Sequence, residues 1–155
     1  MGKKLMIIRE MEPREIDLVI NLFNYYRDEA GISEQRYDEN RVISTVKQYC
    51  IRPNLFFRVA FDGRRPVGLI GGFLSEDPVE SEVTATIQFN YLVPDFATVD
   101  NYHQMIDQFQ QWSSQFQAEQ IRAIDIGEKT NRLQSVYDQL GFYPVRVSVM
   151  NKEIE

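Results

Sequence analysis

The chain has 155 residues, 43% hydrophobic and 26% charged, with a net charge of −6 from 23 acidic and 17 basic side chains. Those values fit one folded domain with a full core and exclude a disordered chain. The acidic balance argues against nonspecific nucleic-acid binding, which needs a basic face. One cysteine and one histidine exclude an internal disulfide and argue against a zinc site of ordinary composition, and point to a reducing compartment. No run of about 18 apolar residues is present to span a membrane. Lys3 and Lys4 lead into only Leu5 to Ile8 before Arg9, too short for the apolar part of a secretory signal.

In chain order, Met6 to Arg9 reads as a short strand. Pro13 suits the start of a helix, along which Ile16, Val19, Ile20 and Phe23 form an apolar stripe. Asn24 to Ser33, polar and containing Gly31, is expected as a loop. A second helix is predicted from about Asp38 to Cys50, on Val42, Val46 and Tyr49, and Pro53 closes it. Cys50 is expected to be a small buried hydrophobe.

Three strands follow. Leu55 to Phe61 and Pro66 to Leu74 flank the turn signal Asp62-Gly63. Gly68, Gly71 and Gly72 in the second of them point to a bulge or a close backbone approach. Val83, Ala85, Ile87, Phe89 and Tyr91 then alternate with Thr84, Thr86, Gln88 and Asn90, the clearest strand of the chain. The alternation fails at Leu92-Val93 before Pro94, where a bulge is expected. A third helix is predicted from Asn101 to about Gln117 on Met105, Phe109, Trp112 and Phe116, with Asp100 as its cap. The rest reads as a strand over Ile121–Ile126, a turn, a helix from Asn131 on Leu133, Val136, Tyr137 and Leu140 ending at Gly141, and a final strand over Val145–Asn151.

A strand, then Asn131, an amphipathic helix, Tyr137 and Gly141-Phe142 resembles the C-terminal half of the GNAT N-acetyltransferase family. The order of elements resembles that family over nearly the whole chain. The resemblance implies a single α/β (α+β) domain with a mixed, mostly antiparallel sheet and helices on both faces. It also implies a cleft where the fourth and fifth strands part near Leu92-Val93. In an active acetyl-CoA-dependent N-acetyltransferase of this family, Leu92, Val93 and Asn131 would contact cofactor. Tyr137 would protonate the departing thiolate, and strand amides would polarise the thioester carbonyl.

The cofactor loop departs from the family pattern Gln/Arg-x-x-Gly-x-Gly/Ala. In its place stands Pro94-Asp95-Phe96-Ala97-Thr98-Val99-Asp100-Asn101, without glycine, lysine or arginine. Glycines there let backbone amides crowd a pyrophosphate at a helix N-terminus. Two like charges about 5 Å apart repel by roughly 3 kcal/mol at an effective dielectric of 20, so one badly placed aspartate weakens anion binding by about 100-fold. The strand face that would hold a base is Thr84, Thr86, Gln88 and Asn90, and Glu82 is the nearest carboxylate. Tyr137 fits the apolar stripe as well as it fits an acid, and Asn131 fits a helix cap. Lys129 and Arg132 suit a solvated helix end, and His103 has no partner visible in the sequence.

GNAT-like proteins of this size with eroded loops are encoded by tailed bacteriophages, some as minor parts of the particle, and the chain resembles that group. This implies a borrowed fold without acetyl-CoA binding, acting as a structural or interaction component among other protein subunits and incorporated into a virion. Tyr25, Tyr26, Tyr37 and Phe96 are the candidate contact aromatics. No membrane, nucleic-acid or metal partner is expected.

Overall fold

The computed structural model describes residues 5–33, 35–77, 79, 81–124, 133–145 and 150–154. Its strands are β1 (Ile7–Arg9), β2 (Leu55–Asp62), β3 (Arg65–Glu76), β4 (Val83–Leu92) and β5 (Gln120–Ala123). They form one sheet in the order β1-β2-β3-β4-β5. All pairs are antiparallel except β4–β5, which is parallel and has a helix in its crossover. The helices are α1 (Ile16–Ala30), α2 (Glu39–Ile51), α3 (Val99–Ser114) and α4 (Gln134–Gln139).

Both sheet faces are covered, and aromatic side chains do much of the covering. On one face Phe23 of α1 packs against Phe57 and Phe89, while Tyr26 meets Tyr91. On the other, Phe109 and Trp112 of α3 pack against Phe56. Tyr26 and Phe96, expected as contact aromatics, are therefore core residues. Tyr25 does face solvent, 63% exposed. Tyr37 is half-buried beneath the Arg27 guanidinium, and burial pushes its phenol up.

Two helix boundaries differ from expectation. α1 continues through Asn24 to Ala30 because Tyr26 and Ala30 prolong the apolar stripe, overriding the polar residues between them. Gly31, at φ 75°, ends it with its N–H on the Arg27 and Asp28 carbonyls. α3 begins at Val99, capped by Thr98, whose side chain accepts from the Asn101 N–H; the expected cap, Asp100, lies inside the first turn. Cys50 is exposed; it lies on the last turn of α2, one turn beyond Val46, which is buried.

The expected strand over 121–126 is β5 as far as Ala123; Ile124 lies past its end, and residues 125 and 126 lie outside the described residues. Most of the expected final strand, residues 146–149, lies outside the described residues, as do Lys129, Asn131 and Arg132.

Candidate functional site

The bulge of β4 lies at Gln88, four residues before the expected Leu92-Val93. Ile87 faces Gly72 of β3 and Phe89 faces Gly71, so Gln88 is the extra residue. Gly71 and Gly72 point to opposite sides of the sheet, and therefore so do Ile87 and Phe89. The unbroken alternation in the sequence thus hides a change of face. Ala85 and Ile87 lie on the α3 side, whereas Phe89 and Tyr91 lie on the α1 side. Thr84, Thr86 and Asn90 are all buried, so the strand has no solvated polar face.

The glycines opposite are what the bulge requires. A Cβ at Gly72 would stand 2.1 Å from the Thr86 carbonyl oxygen and 2.6 Å from Phe109. One at Gly71 would stand 2.0 Å from the Phe89 ring. Gln88 itself turns towards α2, where Tyr49 donates its hydroxyl hydrogen to the Gln88 side-chain oxygen.

Among the described residues the parallel pairing reaches up to the bulge. The β4–β5 register runs from Thr84↔Gln120 to Ile87↔Ala123, and a last bond joins the Ile124 N–H to the Ile87 carbonyl at 3.1 Å. From Phe89 to Leu92, β4 has no strand neighbour on that side among the described residues. The parting of strands that the resemblance implied near Leu92-Val93 would involve the residues after Ile124, which lie outside the described residues.

What fills the cleft comes from the chain itself. Tyr102 of α3 is 2% exposed, and its hydroxyl accepts the Leu92 N–H at 3.2 Å. The Val93 N–H pairs with the Val67 carbonyl at 2.8 Å. These are the two strand residues expected to meet cofactor, and both amides are engaged. Lower in the cleft, buried Asn90 donates through Nδ2 to the Tyr137 hydroxyl at 3.2 Å. Tyr137 is 9% exposed, and its ring lies 5.0 Å from that of Phe142. Gly141, at φ 90°, lets the chain turn back so that the Phe142 N–H reaches the Tyr137 carbonyl at 3.0 Å. The structure thus brings Leu92, Val93 and Tyr137 to one region; Asn131, the fourth expected site residue, lies outside the described residues.

The loop between β4 and α3 is closed in the same manner. The N–H groups of Phe96, Ala97 and Thr98 go to the carbonyls of Val93, Pro94 and Phe96, at 2.9, 3.3 and 2.8 Å. The Asn101 N–H goes to Thr98 Oγ1 at 3.1 Å, while Asn101 Nδ2 holds the Phe96 carbonyl at 2.9 Å. Phe96 is buried beneath this turn. A pyrophosphate cradle needs several convergent amides. Here four of them already have partners within the loop, so the residues present do not fit the group.

Sequence reasoning missed Tyr102. Its signal was available, because Tyr102 precedes Met105, Ile106 and Phe109 at the spacing of the α3 stripe. Of the other candidates, Glu82 accepts from Gln120 at the start of β5, well below the bulge, and His103 is exposed on α3. No cluster of metal-ligating side chains occurs among the described residues, and no described helix is long and apolar enough to cross a membrane.

No family model matches the chain, and no curated protein does. Solved structures do. The aminoglycoside N-acetyltransferase AAC(6')-Iy in complex with CoA superposes with a TM-score of 0.78 at 15% identity, over 98% of this chain and 97% of that one. A predicted acetyltransferase of Clostridium acetobutylicum with acetyl-CoA gives 0.79 at 12% identity, over 96% of each chain. A transcriptional regulator of Bacillus halodurans C-125 gives 0.75 at 15% identity, over 96% of this chain and all of that one. At such identities the likeness speaks for architecture, and the differing names of these proteins show how little architecture says of activity. The chain has the GNAT acetyltransferase fold, a five-stranded, mostly antiparallel sheet between helices.

Proposed function

We propose that this chain uses the acetyltransferase fold as an interaction scaffold and does not bind acetyl-CoA at the usual cleft. The observation that carries the reading is the Tyr102 hydroxyl on the Leu92 N–H. A carbonyl ligand at that amide has to displace a phenol that is buried and held by α3. The self-bonded loop supports it further, because phosphate oxygens would find its amides in use. Tyr25, exposed on α1, supplies contact area for a protein partner. The resemblance to phage-encoded relatives makes a minor component of a bacteriophage particle the specific form of this reading.

Calorimetric titration of acetyl-CoA into the purified protein tests it. No heat at millimolar cofactor is expected. Micromolar binding would overturn the reading.

A second reading, an acetyl-CoA-dependent N-acetyltransferase, rests on a different observation. The Tyr137 hydroxyl accepts from buried Asn90 Nδ2, and the family resemblance assigns the acid to this position. Two similar structures are also complexes with CoA or acetyl-CoA. Under this reading binding is measurable and Tyr137→Phe abolishes acetyl transfer to an amine.

A further inference from the structure

α3 is poor in charge for a chain that is 26% charged overall. Between Val99 and Ser114 only Asp100 and Asp107 carry charge, and no lysine or arginine occurs. A solvated helix face ordinarily sets charged groups opposite its apolar stripe. This one carries glutamines instead. Gln104, Gln108, Gln111 and the C-cap Gln115 follow at spacings of four, three and four, which puts all four amides on one side of the helix.

That side borders the β1–β2 end of the sheet. There the glutamines, with Phe56, Arg58 and Trp112, wall a groove of about 490 Å³, inside the roughly 300–1,000 Å³ range of small-molecule sites. Phe56 and Trp112 are its aromatic part, with ring centroids 5.2 Å apart.

An added peptide strand finds little to pair with here. The Ile8 carbonyl of β1 accepts from Gln108 Nε2 at 3.5 Å, and the Phe57 carbonyl accepts from Arg58 Nη1 at 2.8 Å. An ionic ligand finds no surplus charge, because the groove holds one cation, Arg58, and one carboxylate, Asp107. The Arg58 guanidinium lies over the Phe56 ring at 4.5 Å and 3.4 Å from the Glu10 carboxylate, while Asp107 accepts from Gln111 Nε2 at 3.0 Å. What the groove offers is a row of uncharged amides, each both donor and acceptor, beside an aromatic surface. Sugar hydroxyls also donate and accept, and the C–H face of a sugar ring is apolar enough to lie on an indole.

We propose that this groove binds a neutral saccharide chain, with Trp112 against a ring face and Gln104 and Gln111 on its hydroxyls. The groove and the β4–β5 cleft lie at opposite ends of the sheet, so the site stands or falls independently of acetyl-CoA binding.

Trp112 is the one tryptophan of the chain, so its emission reports on the groove directly. Titration with maltotriose, cellotriose and the trimer of N-acetylglucosamine, beside a sulfated heparin fragment, tests the proposal. At least one neutral trimer is expected to shift the emission saturably at millimolar concentration. Added salt leaves that curve unchanged, because no ion pair forms with the ligand. Gln104→Ala and Gln111→Ala each weaken binding about fivefold, the worth of one hydrogen bond, with unchanged melting temperatures because both side chains are exposed. His103→Ala, exposed on another side of α3, changes nothing. No shift with any neutral trimer, a shift with the heparin fragment alone, or binding indifferent to both glutamine substitutions would each overturn the proposal.

Discussion

The Tyr102 hydroxyl accepts the Leu92 N–H at 3.2 Å, on a stretch of β4 that has no strand neighbour on that side among the described residues. Leu92 is fully buried, so this amide has no water to fall back on. Tyr102→Phe keeps the ring and removes the acceptor. Leaving a buried donor unsatisfied costs about 1–3 kcal/mol, and chemical denaturation should show a loss in that range. An unchanged midpoint would mean that the phenol is incidental to the cleft.

How far this was legible in the sequence depends on the range of the interaction. Local signals gave the three-strand run, the Gly141 helix end and the order of elements as far as α4, because each depends on near neighbours. Gly71 and Gly72 pointed to a bulge or a close approach and meet both, but the place of the bulge at Gln88 was hidden, since strict alternation continues through it and only the register shows the change of face. The cap of α3 went to Thr98 because the chain enters the helix two residues earlier than expected. Tyr26 was misplaced because α1 runs on through it and sets it against Tyr91, and which turns of a helix its neighbours cover, as at exposed Cys50, is not written in the residue types. Tyr102 forms its bond ten residues away in sequence, across a turn whose shape nothing in the residue types announces.

The acid role of Tyr137 can be separated from its packing role. Tyr137→Phe retains the contact with Phe142 and loses the bond from Asn90 Nδ2. A stability loss of about 1 kcal/mol is expected, the usual net worth of one hydrogen bond. Under the scaffold reading the heat of acetyl-CoA titration is the same before and after the change. Loss of a measurable turnover in this variant would instead support the enzyme.

The bulge depends on the absence of a side chain at position 72. Gly72→Ala would place its Cβ 2.1 Å from the Thr86 carbonyl oxygen, and backbone yields far less easily than a flexible side chain. The expected loss is at the upper end of the roughly 1–3 kcal/mol seen for overpacking. Hydrogen exchange should locate the damage, with protection falling along β4 from Thr86 to Phe89 rather than across the whole sheet. Normal protection in that segment would show that the strands can part without this glycine.

Arg9 and Glu15 tie the end of β1 to the turn that starts α1. Arg9 Nη1 and Nη2 donate to the two Glu15 carboxylate oxygens at 2.9 and 2.8 Å, and the Glu12 N–H adds a third bond at 2.7 Å. These bonds, the Arg9 pair foremost, hold the Glu15 carboxyl down at about 2, against an ordinary value of 4.5. A carboxylate whose folded-state value is depressed contributes stability above its unfolded value and loses it as pH falls through the folded one. The contribution is therefore complete above about pH 4.5 and gone below about pH 2. Arg9 is 39% exposed, so solvent screens the pair and the effect is smaller than for a buried one. Glu15→Gln should flatten the decline of stability between those two pH values while leaving its shape above pH 5 unchanged. Denaturation midpoints measured across the window decide it: parallel curves for the two proteins would mean that the pair contributes nothing, and a shallower variant curve would place the acid sensitivity of β1 on this one carboxylate.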